Sequence, residues 1–141
     1  MHFLSGSVQS LNLQGFGSAS QGEEPGRFGE ILAERHLLKQ GCFIVGRNQR
    51  SRHGEIDLIA VEGKTVLFVE VKTRFSDRAG SAAEAVTEKK EIRISKTAAE
   101  YCRHRNLKEV PKRFDVIAID WIDNLPTIRH FKSAFEYAID D

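Results

Sequence analysis

Along this chain the spacing of apolar residues switches between helical and strand periods, and the switches mark the elements. Pro25 suits the first turn of a helix that ends before Gly41, a glycine fit for the position just past a helix C-terminus. Phe28, Ile31, Leu32 and Leu38, with the stem of Arg35, form its expected main buried stripe. At about 100° per residue Glu30 falls elsewhere, on a second stripe with Gly26, Ala33 and Leu37, which predicts a partly enclosed carboxylate. Cys42 to Asn48 reads as a short strand, followed by the polar, basic loop "QRSRH". Two apolar strands follow, Glu55 to Val61 and Thr65 to Thr73, and "RFSDRAGS" is a loop by composition.

From Thr87 to Arg105 the sets Ile92, Ala99, Cys102 and Ile94, Ala98, Tyr101 recur at helical spacing. Lys112 to Ile122 is a buried strand and Asp123 to Pro126 a turn. "TIRHF" predicts a last short strand and "SAFEYAI" a closing helical turn or two. Closely spaced early strands suit antiparallel pairing, whereas the second helix suits a crossover to a parallel neighbour. The expected architecture is α/β: one mixed sheet flanked by helices, with an α-β-β-β-α-β core. Residues 25–141 are expected to form a single domain behind a flexible tail, 1–24.

The apolar strands carry charges that a core would not choose. Glu55 and Asp57 share a face with Ile59, while Val66, Phe68, Glu70 and Lys72 share a face of the next strand. A two-residue II′ turn at Gly63-Lys64 pairs residues whose numbers sum to 127, setting Asp57 opposite Glu70 and Glu55 opposite Lys72. A turn at Glu62-Gly63 shifts the pairing by two and keeps all four on one face; a three-residue loop scatters them. Two carboxylates about 4 Å apart repel by roughly 4 kcal/mol at an effective dielectric near 20. A shared proton, the lysine or a divalent cation relieves that repulsion. Mg²⁺ takes oxygen donors and commonly one or two carboxylates. Asp57, Glu70 and the carbonyl of Val71 supply such donors, with Lys72 beside them to orient a water or offset phosphate charge. This constellation suits phosphodiester hydrolysis.

Charge distribution adds direction where net charge, +1, adds none. Val86 to Arg113 holds nine Lys or Arg against four Glu, and Phe114 to Asp141 two basic against six acidic residues. Arg47, Arg50 and Arg52 form a further basic cluster before the acidic strands. Cys42 and Cys102 have no CxxC or zinc-site spacing and are expected as free thiols in a reducing compartment. Met1 to Gly22 lacks the basic start and continuous apolar run of a signal peptide, and no segment approaches membrane-spanning length, so a cytoplasmic protein is expected. His36, His53, His104 and His130 show no metal-site spacing and are expected at the surface, with His53 set apart at the mouth of the acidic site. Asp115 is expected to be structural, Trp121 to pack at the core edge, and Tyr101 and Cys102 to be core.

"GEIDLIA" followed by "FVEVKTR" resembles the PD-(D/E)xK nuclease pattern, and specifically the small UPF0102 or YraN family, endonucleases by prediction with distant similarity to archaeal Holliday-junction resolvases. The resemblance extends through Gly26, Gly29, Glu30, Ala33, Leu37 and Gly41, then Arg47-Asn48, Ala85-Val86, Lys90, Phe114-Asp115-Val116 and Ser133-Ala134-Phe135. It implies a restriction-endonuclease-like fold, Asp57 and Glu70 as carboxylate ligands of Mg²⁺ (or Mn²⁺), and Lys72 as catalytic lysine. Glu30 matches a further acid on the first helix. Ile56 stands where the superfamily name has proline. The resolvases are dimers that grip branched DNA, which implies a homodimer and assigns Arg47, Asn48, Arg50, Arg52, Lys89, Lys90 and Arg93 to nucleic acid. Glu55 and His53 are secondary candidates. Two functional classes follow: a metal-dependent DNA endonuclease acting on branched or single-stranded DNA in repair or recombination, and a non-catalytic nucleic-acid- or protein-binding module of DNA processing.

Overall fold

In a computed structural model, which describes residues 9–10, 25–75 and 86–138, two helices pack on opposite faces of one mixed sheet. The elements are β1 (Gln9–Ser10), α1 (Pro25–Lys39), β2 (Phe43–Ser51), β3 (Gly54–Glu62), β4 (Thr65–Arg74), α2 (Glu88–His104), β5 (Lys112–Ile122) and β6 (Leu125–Phe135). Sheet order is β1-β6-β5-β4-β3-β2. β4 and β5 run parallel, as the α2 crossover requires, and the other neighbours are antiparallel. Gln9–Ser10 pairs with β6 at Ile128 and Thr127; the rest of the expected tail, and Ser76 to Ala85 of the loop after β4, lie outside the described residues.

Strand alternation divides the core in two. Leu58, Ala60, Leu67, Val69, Ile117, Ile119 and Ile128 meet Leu32, Ala33 and Leu37 of α1. Ile59, Val66, Phe68 and Phe114 meet Ile94, Ala98, Tyr101 and Cys102 of α2. The buried set on α2 therefore includes the expected Ile94, Ala98 and Tyr101, while Ile92 and Ala99 are only half-buried. Cys42 and Cys102 are buried free thiols, and burial is the largest influence pushing both above the usual thiol range.

Three local expectations need correction. The buried face of α1 is Gly29, Leu32, Ala33, His36 and Leu37; Leu38 is 51% exposed and Arg35 is also exposed. Small residues won this face because they let the helix approach the sheet: a β-carbon on Gly29 would lie 2.0 Å from Oγ1 of Thr73. β2 runs on through the supposed loop to Ser51 and turns at Arg52-His53, because a solvent-exposed edge strand carries polar residues without losing its ladder to β3. The last strand likewise extends to Phe135 in place of a helical turn. Its backbone kinks at Ser133 (φ +53°), whose N–H donates to Oδ1 of Asp115 at 3.1 Å.

That bond belongs to a buried polar chain that ties α1 to β5 and β6. His36 and His130 are 2% and 7% exposed, not surface residues. His36 Nε2 lies 3.1 Å from His130 Nδ1, and His130 Nε2 lies 2.8 Å from Asp115 Oδ2. Arg113 donates to both Asp115 oxygens at 2.9 Å and to Glu62 at 3.1 Å. Among the described residues His36 Nδ1 meets no partner, so the tautomer that leaves no buried N–H stranded puts the His36 proton on Nε2. Burial alone would raise Asp115, but His130 and Arg113 hold it low, and the expected structural role is met. Burial, with His130 second, pushes His36 down to about 4.

Gly29→Ala is expected to cost about 1–3 kcal/mol in denaturant unfolding, through the clash with Thr73; an unchanged midpoint would show that α1 does not sit this close. Because the unfolded histidine (6.5) binds a proton that folded His36 refuses until about 4, His36 adds stability above pH 6.5 that is lost as pH falls toward 4. The contribution is roughly 3 kcal/mol. His36→Leu should flatten the pH dependence of the unfolding free energy across that window; an unaltered slope rules the origin out.

Candidate functional site

Gly63 takes φ +60° and opens the tight turn predicted at Gly63-Lys64. The register sums to 127, as expected, from Glu62↔Thr65 to Leu58↔Val69. There the ladder ends. In a continuous ladder the next bonded pair would place Val71 opposite Ile56. The Val71 N–H instead donates to the Asp57 carboxylate, Oδ2, at 2.8 Å. Ile56 has turned to the α2 side of the sheet, into the cluster with Ile59. β3 stays paired with β2 down to Gly54↔Ser51, and β4 with β5 up to Arg74↔Asp120. The two hairpin arms therefore part like a wedge, and Asp57 stands at its apex. Across β2, Asn48 (φ +49°) interrupts the pairing where it would oppose Asp57.

Three acids meet at the apex. Glu30 of α1 comes close enough to Asp57 for the two carboxyl groups to influence each other, and Glu70, 6% exposed, crowds Asp57 from β4. Burial first, then the charge of Glu70, drives Asp57 up to about 7 against the pull of the Val71 N–H. Burial, then Glu55 and Glu70, raises Glu30 as well. Two lysines answer the acids. Lys72 Nζ lies 3.2 Å and Lys90 Nζ 2.7 Å from the same oxygen, Oε1 of Glu70. Burial and the neighbouring Lys90 lower Lys72; burial opposes the charge of Lys90 too, but Glu70 prevails and Lys90 is raised.

The structure thus gathers Glu30, Asp57, Glu70, Val71 and Lys72. It does not form the expected pair of Glu55 with Lys72, since the strands have parted; Glu55 instead faces Arg50 at 3.6 Å. Lys90, grouped from sequence with the phosphate contacts, sits on Glu70. Its position follows from the crossover, which brings the first turn of α2 back to the C-terminal half of β4. The basic cluster also divides. Arg47, Asn48 and Arg50 line an open groove of 690 Å³ that Glu30 and Glu55 share. Arg47 is clamped there by Glu34, an acid that drew no notice in the sequence, with Nε donating at 2.9 Å. Arg52 and His53 belong to a second concavity with Lys96, Arg103 and His104, so His53 does not stand at the mouth of the acidic site. Arg93 and Lys89 are exposed on α2. Trp121 packs at the core edge as expected, between Phe28 and Phe75. Among the described residues no group of three or more His, Cys, Asp or Glu forms a ready-made metal cage, and no helix is long and apolar enough to cross a membrane.

The structure is an α/β protein with the expected α-β-β-β-α-β order: a mixed sheet with a central parallel pair, helices on both faces and acids at the break between β3 and β4. Residues 29–119 match the model of "Uncharacterised protein family UPF0102". A UPF0102 protein of Rhodococcus jostii is 49% identical over 78% of this chain and 94% of its own length. One from Geotalea uraniireducens is 44% identical over 80% of this chain and 90% of its own. The chain belongs to the UPF0102 family. Among solved structures, Pyrococcus furiosus SfsA in complex with Ca²⁺ is similar at 14% identity and a TM-score of 0.32, over 74% of this chain and 60% of that one.

Because folded Asp57 keeps its proton to about pH 7 and unfolded Asp57 only to 3.8, stability should fall as pH rises between those values. In EDTA, Asp57→Asn should therefore be more stable than wild type above pH 7, by roughly 1–3 kcal/mol, and lose that advantage below pH 4. Equal stability at pH 8 in chemical denaturation would show that Asp57 feels neither burial nor Glu70.

Proposed function

We propose that this protein is a metal-dependent DNA endonuclease that hydrolyses phosphodiester bonds, with Mg²⁺ or Mn²⁺ as cofactor. One observation carries the reading: Asp57 is lifted out of its ladder at the wedge apex, beside buried Glu70, whose Oε1 lies 3.2 Å from Lys72 Nζ. The donor set fits a hard divalent cation, because every candidate donor is an oxygen and the acids repel one another without one. Asp57, Glu70 and the Val71 carbonyl would hold it. Such an ion, when bound, supplies a water of lowered pKa and positive charge beside the phosphate.

The chain's own residues account for the remainder. Lys72 sits where an ammonium can meet charge building on a phosphate oxygen. Glu30, raised by its surroundings, can hold a proton beside Asp57. The groove past Arg50 gives the phosphate backbone a charged approach to the apex. Arg50 is 81% exposed, and its contact with Glu55 is long enough to be exchanged for a phosphate. Branched or single-stranded DNA in repair or recombination is the substrate class that the resemblance implies.

A panel of duplex, single-stranded, flap and four-way-junction DNA, incubated with Mg²⁺ or Mn²⁺, tests this reading. Wild type should cut at least one substrate, while Glu70→Ala and Lys72→Ala should each be slower by about 10²-fold or more yet fold normally. Folded variants that cut at the wild-type rate would remove these residues from the chemistry. No metal-dependent cutting of any substrate, with salt-sensitive binding retained, would favour a non-catalytic nucleic-acid-binding module.

A further inference from the structure

Two ammonium groups on one carboxylate oxygen are more than that oxygen needs, and they arrive by different routes. Lys72 is two residues from Glu70 on β4 and stays on its side of the wedge. Lys90 comes from α2, where Thr87 caps the helix by accepting the Lys90 N–H at 3.2 Å. The cap fixes the Lys90 backbone while its four-carbon stem can carry the charge away from Glu70. Its side chain keeps 35% exposure against 7% for that of Glu70, so the way out leads to solvent. Lys90 also makes the shorter of the two contacts, 2.7 Å against 3.2 Å.

We infer that Lys90 is the resident counter-ion of Glu70, displaced from the carboxylate when a divalent cation binds and then free to meet the phosphodiester. The inference rests on the cation site proposed above. A doubly charged ion on Glu70 and Asp57 would repel an ammonium 2.7 Å from the same oxygen, and of the two lysines Lys90 is the more exposed, 35% against 22% for Lys72, and is carried on a different element from Glu70. Lys90 is thereby a positioning residue: it holds Glu70 in place before loading and gives up that contact on loading.

Mn²⁺ binding measured calorimetrically on purified protein without DNA tests this apart from any cleavage. Lys90→Met should bind Mn²⁺ about tenfold more tightly than wild type, since the competing charge is gone. Lys89→Met removes the same charge from the same helical turn at an exposed position, and should stay within about twofold of wild type. Lys90→Arg should also remain near wild type. Without metal, Lys90→Met should melt below wild type, and saturating Mn²⁺ should close the gap. Equal or weaker Mn²⁺ binding by Lys90→Met overturns the inference. So does equal tightening by Lys89→Met, or no binding by any form at millimolar Mn²⁺. Tightening specific to Lys90→Met in a protein that cuts no DNA would keep this inference and reject the endonuclease reading.

Discussion

The hydrogen bond from the Val71 N–H to the Asp57 carboxylate is the constraint on which the site depends. A sheet that continued through this point would satisfy Val71 from the neighbouring backbone, and Asp57 would be one more side chain on a flat surface. By taking the N–H itself, Asp57 terminates the β3–β4 ladder without leaving a buried donor unpaired. The same exchange releases Ile56 to the opposite face, where it packs with Ile59 beside α2. One side-chain bond thus ends a ladder, opens a wedge and fixes a carboxylate at its apex.

The wedge gathers charge only because α1 lies close enough to bring Glu30 down on it. Gly29 permits that approach at Thr73, and the His36–His130–Asp115 chain holds the far half of the helix to β5 and β6. Glu34 then clamps Arg47 of β2, so the helix also holds the outer arm of the wedge. On the other face, Ser51 beside the β2–β3 turn meets Thr97 of α2 at 2.8 Å. The outer arm is therefore braced on both faces of the sheet. An opening braced in this way keeps like charges together that would otherwise relax apart, which is how a folded chain stores repulsion at one place.

The order of elements was legible because apolar spacing decides it, and β5 and α2 lie where their periodicity puts them. So was the register of the Gly63 hairpin, since a glycine followed by a residue of ordinary φ admits few turns. The end of that register was not legible. Nothing in "GEIDLIA" says that Asp57 rather than Ile56 will accept from Val71, because the choice is made by packing on both faces at once. His36 is buried for a related reason: its partner His130 stands 94 residues away, itself held by Asp115, and a lone histidine carries no sign of them. The face of α1 was misread because size, not hydrophobicity, selected Gly29 and Ala33. Glu30 is partly enclosed as expected, because the stripe it shares with Ala33 and Leu37 is the one that faces the sheet.

The outer arm shows why the wedge does not simply zip shut or add a strand from elsewhere. Among the described residues β2 is an unpaired edge nine residues long, with Phe43 71% and Val45 50% exposed, which invites pairing with another chain. Its register slips between Ile44 and Gly46, and Asn48 adopts a left-handed backbone that a flat strand could not accept. Each irregularity twists the edge away from an incoming strand. The second also lies across from Asp57, so the feature that protects the edge and the feature that opens the site fall at one level of the sheet.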